Sequence, residues 1–239
     1  MTASPAPAVT VVIPVYNEAK LLRVALEELS RRLDALGWSY ELLLTENGSR
    51  DGTQELLASL ARELPRLRAL HTDEPNYGKA LKRGILEARG EVVICDEIDL
   101  CDVDFYLRAL PILQSGADLV VGSKAMPGAD DARPWLRRLA TRVITLLLRL
   151  ATGFKGTDTH GLKAFKRARL IAVAEACAID RDLFASEFVI RAARMGRDVR
   201  EIPIRLQEKR PPSINLVKRV PRVLKGLLKL GWTIRVWNR

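Results

Sequence analysis

Cysteines, aromatics and long apolar runs are all scarce in this chain, and each shortage excludes something. Three cysteines, Cys95, Cys101 and Cys177, show no CxxC spacing. Neither a disulfide framework nor a structural zinc site is expected, and a reducing, cytoplasmic compartment is favoured. Aromatic residues make up 5% of the chain, too few to interleave with the basic residues as base-stacking platforms, which disfavours nucleic acid as a partner. No stretch reaches the roughly 18 uninterrupted apolar residues of a membrane span; the best attempt, Leu139–Phe154, is broken by Arg142 and Arg149. The N-terminal MTASPAPAVT has no basic segment followed by an apolar core, which argues against a secretory leader. Neither a GxGxxG after the first apolar run nor a GxxxxGK followed by Ser or Thr occurs, counting against dinucleotide dehydrogenases and P-loop phosphotransferases.

The chain does have enough apolar matter for a core: 48% hydrophobic and 28% charged residues over 239 positions, in the range of soluble globular proteins. Its net charge of +10 is lopsided, because Arg205–Arg239 holds ten Lys/Arg against one acid, Glu208. That end of the chain calls for an anionic partner: a membrane surface, a nucleic acid or a phosphate.

Apolar periodicity sets out alternating strands and helices. Val9–Val15, Tyr40–Thr45, Leu67–His71, Glu91–Cys95 and Ala117–Val121 read as strands; Glu18–Leu36, Gly52–Glu63, Lys79–Ala88 and Phe105–Gln114 read as helices. Such alternation implies βαβ units, an α/β fold with a mostly parallel central sheet flanked by helices. Beyond Gly122 the texture changes to a polar loop over Pro127–Pro134, an Arg-bearing helix over Trp135–Leu150, a short strand at Leu162–Phe165, a helix over Arg181–Met195 and a strand over Asp198–Arg205. The expected organisation is a disordered 1–8, an α/β domain over 9–212 whose texture divides it into 9–122 and 123–212, and a basic amphipathic tail over 213–239.

Within this frame the stretch VVICDEIDLCD, Val92–Asp102, climbs from an apolar run to four acids, Asp96, Glu97, Asp99 and Asp102. Carboxylates at the end of a buried strand suit metal ligation at the carboxyl edge of a parallel sheet, and equally a solvated acidic turn.

Five strings stand in order along the chain: VVIPVYNEAKLL, TENGSRDGT, NYGKALKRGILEARGEVVICDEIDL, DTHGLKAFKR and EIPIRLQEKRPPS. Together they resemble family 2 glycosyltransferases, most nearly the polyprenyl- and dolichyl-phosphate sugar synthase branch, from Val9 to about Leu216. The resemblance implies a GT-A fold, a nucleotide-sugar donor of GDP-mannose or UDP-glucose type, Mg²⁺ or Mn²⁺, and an inverting transfer, and it makes 9–212 the catalytic domain, with 9–122 its donor half and 123–212 its acceptor half. It places Pro14, Tyr16, Asn17 and Glu18 at the nucleotide, although Asn17 is also a natural helix cap. Glu46 and Asn47 stand where two aspartates are usual. Asp51 matches the aspartate of DGT and is also a fitting cap. Gly78 and Lys79 match the loop whose lysine approaches the diphosphate. Six residues separate Gly90 from Glu97, so Glu97 and Asp99 occupy the DxD position of the family. Two residues apart on an extended segment, they would point the same way toward one ion. Cys101 takes the place of a third metal ligand, where a thiol suits a hard cation poorly.

Further along, the resemblance sets Ser123 and Lys124 at the donor phosphates, Arg138 and Arg142 on an acceptor-side helix, and Asp158 before the acceptor segment. His160 replaces a usual Ser or Cys. Glu187 and Arg191, four apart, are either an intrahelical pair or a frame for the acceptor cleft. Arg210 and Ser213 match a phosphate-contacting segment that Pro211 and Pro212 stiffen. The expected chemistry offsets the leaving diphosphate with the metal, Lys79 and Arg210. A polyprenyl phosphate acceptor is already anionic, whereas a hydroxyl acceptor needs a base, for which Asp158 and Glu187 are the candidates. In the tail, Leu216, Val217, Val220, Leu224, Leu227, Leu228 and Trp232 alternate with basic residues at helical spacing. This pattern fits a helix lying on an anionic, cytoplasmic membrane face, or one packed on the domain with a solvated basic side. A soluble family 2 enzyme with a hydroxyl acceptor, and a non-catalytic nucleotide-sugar or nucleic-acid binder, stand as alternatives.

Overall fold

The computed structural model describes residues 6–132, 134–206 and 225–234. Its spine is a seven-stranded, mostly parallel sheet. Strand β1 (Val9–Val15) is buried along its whole length, as a central parallel strand covered on both faces must be. It pairs in parallel with β2 (Tyr40–Asn47) and β4 (Val92–Cys95), and β2 pairs in parallel with β3 (Leu67–Thr72). One face carries α1 (Ala19–Ala35), α2 (Thr53–Glu63) and α4 (Val103–Gln114), packed through Leu22, Leu26, Leu57 and Phe105. The other carries α3 (Tyr77–Glu87), α6 (Arg167–Ala176) and α7 (Phe184–Arg194), through Leu81, Leu170 and Phe188.

The departures from expectation lie past Gly122. Strand β5 (Leu119–Ser123) is not the neighbour of β4. Strand β7 (Lys163–Lys166) enters between them and runs antiparallel to both, while β8 (Val199–Pro203) extends the sheet beside β5. The insertion needs a close backbone approach: a Cβ on Gly161 would lie 1.6 Å from the Gly122 carbonyl oxygen. Helix α6 was not foreseen in the sequence. The loop before α5 (Trp135–Thr152) contains β6 (Asp130–Asp131), paired with β9 (Arg205–Leu206). A third apolar cluster joins Leu148 of α5, Leu183 and Ile190 to Leu227, Leu230 and Ile234 of a C-terminal helix over 225–234. No helix among the described residues is long and apolar enough to cross a membrane.

Candidate functional site

The carboxyl ends of β1, β2, β4 and β5 meet the start of β7 along one edge of the sheet, and most of the residues singled out in the sequence gather there. At the β1 end, Pro14 lies within the strand opposite Thr45, Tyr16 is exposed and Glu18 is buried. Asn17 adopts a left-handed φ of 55°. Its amide donates to Ser49 Oγ at 2.9 Å and its Oδ1 accepts from Arg50 N at 2.9 Å. Asp51 does not cap α2 in the simple sense. Its Oδ1 accepts from Thr53 N at 3.1 Å and its Oδ2 from Ala19 N at 3.1 Å, so it ties the starts of α1 and α2 together.

The usual pair of aspartates is replaced by two buried braces. Asn47 donates to Val15 O at 2.8 Å and accepts from Asn76 N at 3.1 Å. Asn76 in turn caps α3, its side chain accepting from Lys79 N at 3.1 Å. Glu46 accepts from Ser49 N at 2.5 Å and meets His71 Nδ1. Burial alone would raise the Glu46 pKa, but these hydrogen bonds outweigh it and hold it below the usual range. His71 escaped the sequence reading because its buried partner, Glu46, is far off in the chain. Gly78 is required where it stands, because a Cβ there would approach the carbonyl oxygens of Arg181 and Asp180 to 2.4 and 2.5 Å. Lys79 is exposed and pairs with Glu74 at 3.3 Å.

The acid stretch is a turn rather than an extended run. Leu100 N and Cys101 N both donate to Glu97 O, at 2.9 and 3.1 Å. Asp96 organises it: Oδ1 accepts from Glu97 N at 2.6 Å and Oδ2 from Asp102 N at 2.9 Å and from the Tyr106 hydroxyl. Burial pushes the Asp96 carboxyl up to about 7. Asp102 caps α4, accepting from Phe105 N at 3.1 Å. Glu97 faces solvent while Asp99 is buried, so the extended-segment argument for their convergence does not hold. As hard oxygen donors they still suit Mg²⁺ or Mn²⁺, which commonly take one or two carboxylates and complete their shell with substrate phosphates and water. Cys101 does not fit as a third ligand. Its thiol donates to Ile98 O at 3.5 Å, its φ is 45°, and it packs against the core. Among the described residues no group of three His, Cys, Asp or Glu converges as a metal cage.

On the β5 side, Ser123 Oγ meets Thr157 Oγ1 at 2.7 Å, and Lys124 Nζ donates to Asp158 Oδ2 at 2.7 Å. Asp158 also accepts from His160 N at 2.9 Å. Burial would raise its pKa, but the Lys124 ammonium outweighs this and pushes it down to about 2. Glu201 supports the segment from below, taking Thr157 N at 2.8 Å and Asp158 N at 3.2 Å. His160 is exposed, its ring between Thr159 Oγ1 and Asp182 O.

Glu187 requires a correction. It is fully buried, accepts from Ala178 N at 3.0 Å and Ile179 N at 2.7 Å, and pairs with Arg191 at 2.7 Å. It anchors the chain before α7 and forms the intrahelical pair, with no carboxylate edge left toward a cleft. Arg138 and Arg142 are exposed on α5. Arg210 and Ser213 lie outside the described residues.

A sequence model described as glycosyl transferase family 2 matches residues 10–185. The chain belongs to glycosyltransferase family 2. It is 30% identical, over 97% of its length, to the glycosyltransferase AglD of Haloferax volcanii, of which it covers 38%. It is 31% identical, over 66% of its length, to an undecaprenyl-phosphate 4-deoxy-4-formamido-L-arabinose transferase of Serratia proteamaculans, covering 49% of that protein. The chain thus spans under two thirds of the length of these relatives. A structure of glucosyl-3-phosphoglycerate synthase from Mycobacterium tuberculosis, in complex with Mn²⁺, UDP-glucose and phosphoglyceric acid, superposes with a TM-score of 0.66 at 18% identity. That match covers 94% of this chain and 80% of the other, and shows that the fold is GT-A.

Proposed function

We propose that this family 2 chain carries the catalytic region of an inverting hexosyltransferase, moving a sugar from a nucleoside-diphosphate donor of GDP-mannose or UDP-glucose type to a polyprenyl phosphate at a membrane surface. The observation that carries this reading is the state of the two candidate bases. A hydroxyl acceptor must lose a proton as it attacks, and a base serves best with a pKa near the working pH. Asp158 is held at about 2 by Lys124, and Glu187 is sealed in the core by two backbone amides and Arg191. A phosphate monoester brings its own anionic oxygen and needs neither. The relative named for undecaprenyl phosphate supports the same acceptor class.

Helix α5 supports the membrane part. Leu136, Leu139, Val143, Leu146 and Leu150 are exposed at alternating three- and four-residue steps, Leu150 by 70%. The helix holds four arginines and no acid, so a like-charged second copy suits this face poorly and an anionic lipid surface suits it well. Leu228 and Trp232 are 78% and 74% exposed on the C-terminal helix, whose Leu227, Leu230 and Ile234 pack inward. The rest of the expected tail, 213–224 and 235–239, lies outside the described residues.

At the donor, Glu97 and Asp99 would hold a divalent ion, which when bound offsets the charge developing on the leaving diphosphate. Asp96 and Tyr106 keep the turn that presents those carboxylates, Asn76 and Gly78 seat the start of α3 with Lys79 at the phosphates, and Lys124 donates to Asp158. The test supplies purified protein with UDP-glucose or GDP-mannose, Mn²⁺ or Mg²⁺, and vesicles containing either polyprenyl phosphate or the matching alcohol. Metal-dependent transfer to the phosphate alone is expected. Transfer to the alcohol, or no turnover with either donor, refutes the reading.

A further inference from the structure

Lys163 opens β7, where its backbone stands opposite Cys95 on β4 and Val121 on β5. Residues alternate faces along a strand. Ala164 belongs to the core beneath α1 and α4, while Phe165, Cys95 and Val121 belong to the core beneath α3 and α7. Lys163 therefore stands on the α3 face, at the end of β7 nearest the acid turn. It is 2% exposed. Its ammonium donates to Gly161 O at 2.7 Å and forms no ion pair among the described residues. Cys95, Asp158, Lys124 and Glu97 all lie within its electrostatic reach.

A lysine ammonium has three N–H donors, and one carbonyl two residues back uses one of them. Burying the rest of such a group costs free energy that a Met or Leu in this strand would avoid. Burial indeed lowers the Lys163 pKa. A cation kept here at that cost suits an anion that arrives from outside, and the position between the acid turn and the Lys124–Asp158 pair is where substrate phosphates have to meet in the reading above.

We propose that Lys163 is a phosphate-contacting residue of the transfer site, its buried ammonium donating to a phosphate oxygen of a bound substrate. The proposal rests on the transferase reading for the identity of the phosphates. Two sources share this chemistry, the donor diphosphate and the acceptor monophosphate, and the test separates them. Lys163→Met removes the charge at similar volume, and Lys163→Gln keeps a neutral donor. Each variant is titrated by calorimetry with UDP and GDP in the presence of Mn²⁺, and each is assayed for its KM for polyprenyl phosphate.

The expected result is a melting temperature equal to or above the wild type, with a roughly 10- to 100-fold loss in one arm, the scale of a charge-assisted hydrogen bond. Weaker diphosphate binding assigns the donor, and a raised KM with intact diphosphate binding assigns the acceptor. Folded variants unchanged in both arms overturn the proposal. So does failure of both variants to fold, which would make the ammonium structural. If the wild type transfers nothing to polyprenyl phosphate, the function reading fails by itself. Lys163 is then still judged by the diphosphate titration and by binding of inorganic phosphate, and no change in either overturns it.

Discussion

Replacing Asp158 by Asn leaves the Lys124 ammonium buried with no carboxylate beside it. In the native protein Asp158 is 1% exposed and titrates at about 2 against an ordinary value of 3.8. At ~1.4 kcal/mol per pKa unit, the shift corresponds to roughly 2.5 kcal/mol of stability. Because the folded pKa is depressed, this contribution is fully present above the unfolded pKa and is lost as pH falls through 3.8 toward 2. About half of it is gone at pH 3 by the same linkage relation. Breaking one side of a buried pair costs about 3 kcal/mol or more, so Asp158→Asn is expected to lose that much at neutral pH. Urea unfolding of both proteins at pH 7, 5, 4 and 3 measures the difference. The gap between wild type and variant should narrow by about 1 kcal/mol between pH 5 and pH 3. A gap that stays constant over that range would show that Lys124 does not depress the Asp158 pKa, and the argument against Asp158 as a base would fall with it.

Glu187→Gln strips the carboxylate from Arg191 in the core, and chemical unfolding should register a loss of about 3–5 kcal/mol; the transfer rate per folded molecule should barely change, where a base would lose it almost entirely. Gly78→Ala drives a methyl group into the Asp180 and Arg181 carbonyl oxygens, and thermal unfolding should show about 1–3 kcal/mol of strain, with weakened nucleotide binding in titration. The double variant Leu139→Asp, Leu146→Asp changes exposed positions only, so its stability should stay within about 0.5 kcal/mol while co-sedimentation with anionic vesicles is lost. Retained sedimentation would remove α5 from the membrane face. Tyr106→Phe takes a donor from the buried Asp96 carboxylate, and calorimetry should find a destabilisation of about 1–3 kcal/mol with reduced Mn²⁺ affinity.

The first half of the fold and the outline of the site were legible in the chain itself. Val9–Val15 and its successors are strands because apolar residues run together, and the helices between them carry an apolar stripe at helical spacing; both patterns are local. The acid turn, the Asn76-Tyr77-Gly78-Lys79 corner and the Asp158 segment were likewise visible as strings of known order. Tertiary structure decided what those strings do. Strand β7 is legible as a short strand, but its place antiparallel between β4 and β5 has no local signature, because a four-residue strand states neither its partner nor its direction. The same insertion buries Lys163 beside residues far from it in sequence. Glu187 and Arg191 sit at a spacing that fits either a pair or a cleft, and only the amides of Ala178 and Ile179 closing on the carboxylate select the pair. Cys101 stood in line with the metal ligands by spacing, and a backbone φ of 45° turns it toward the core. Sequence fixes which chemistry a chain carries, but burial and long-range partners set the charge state of each group, and they exist only once the chain has closed on itself.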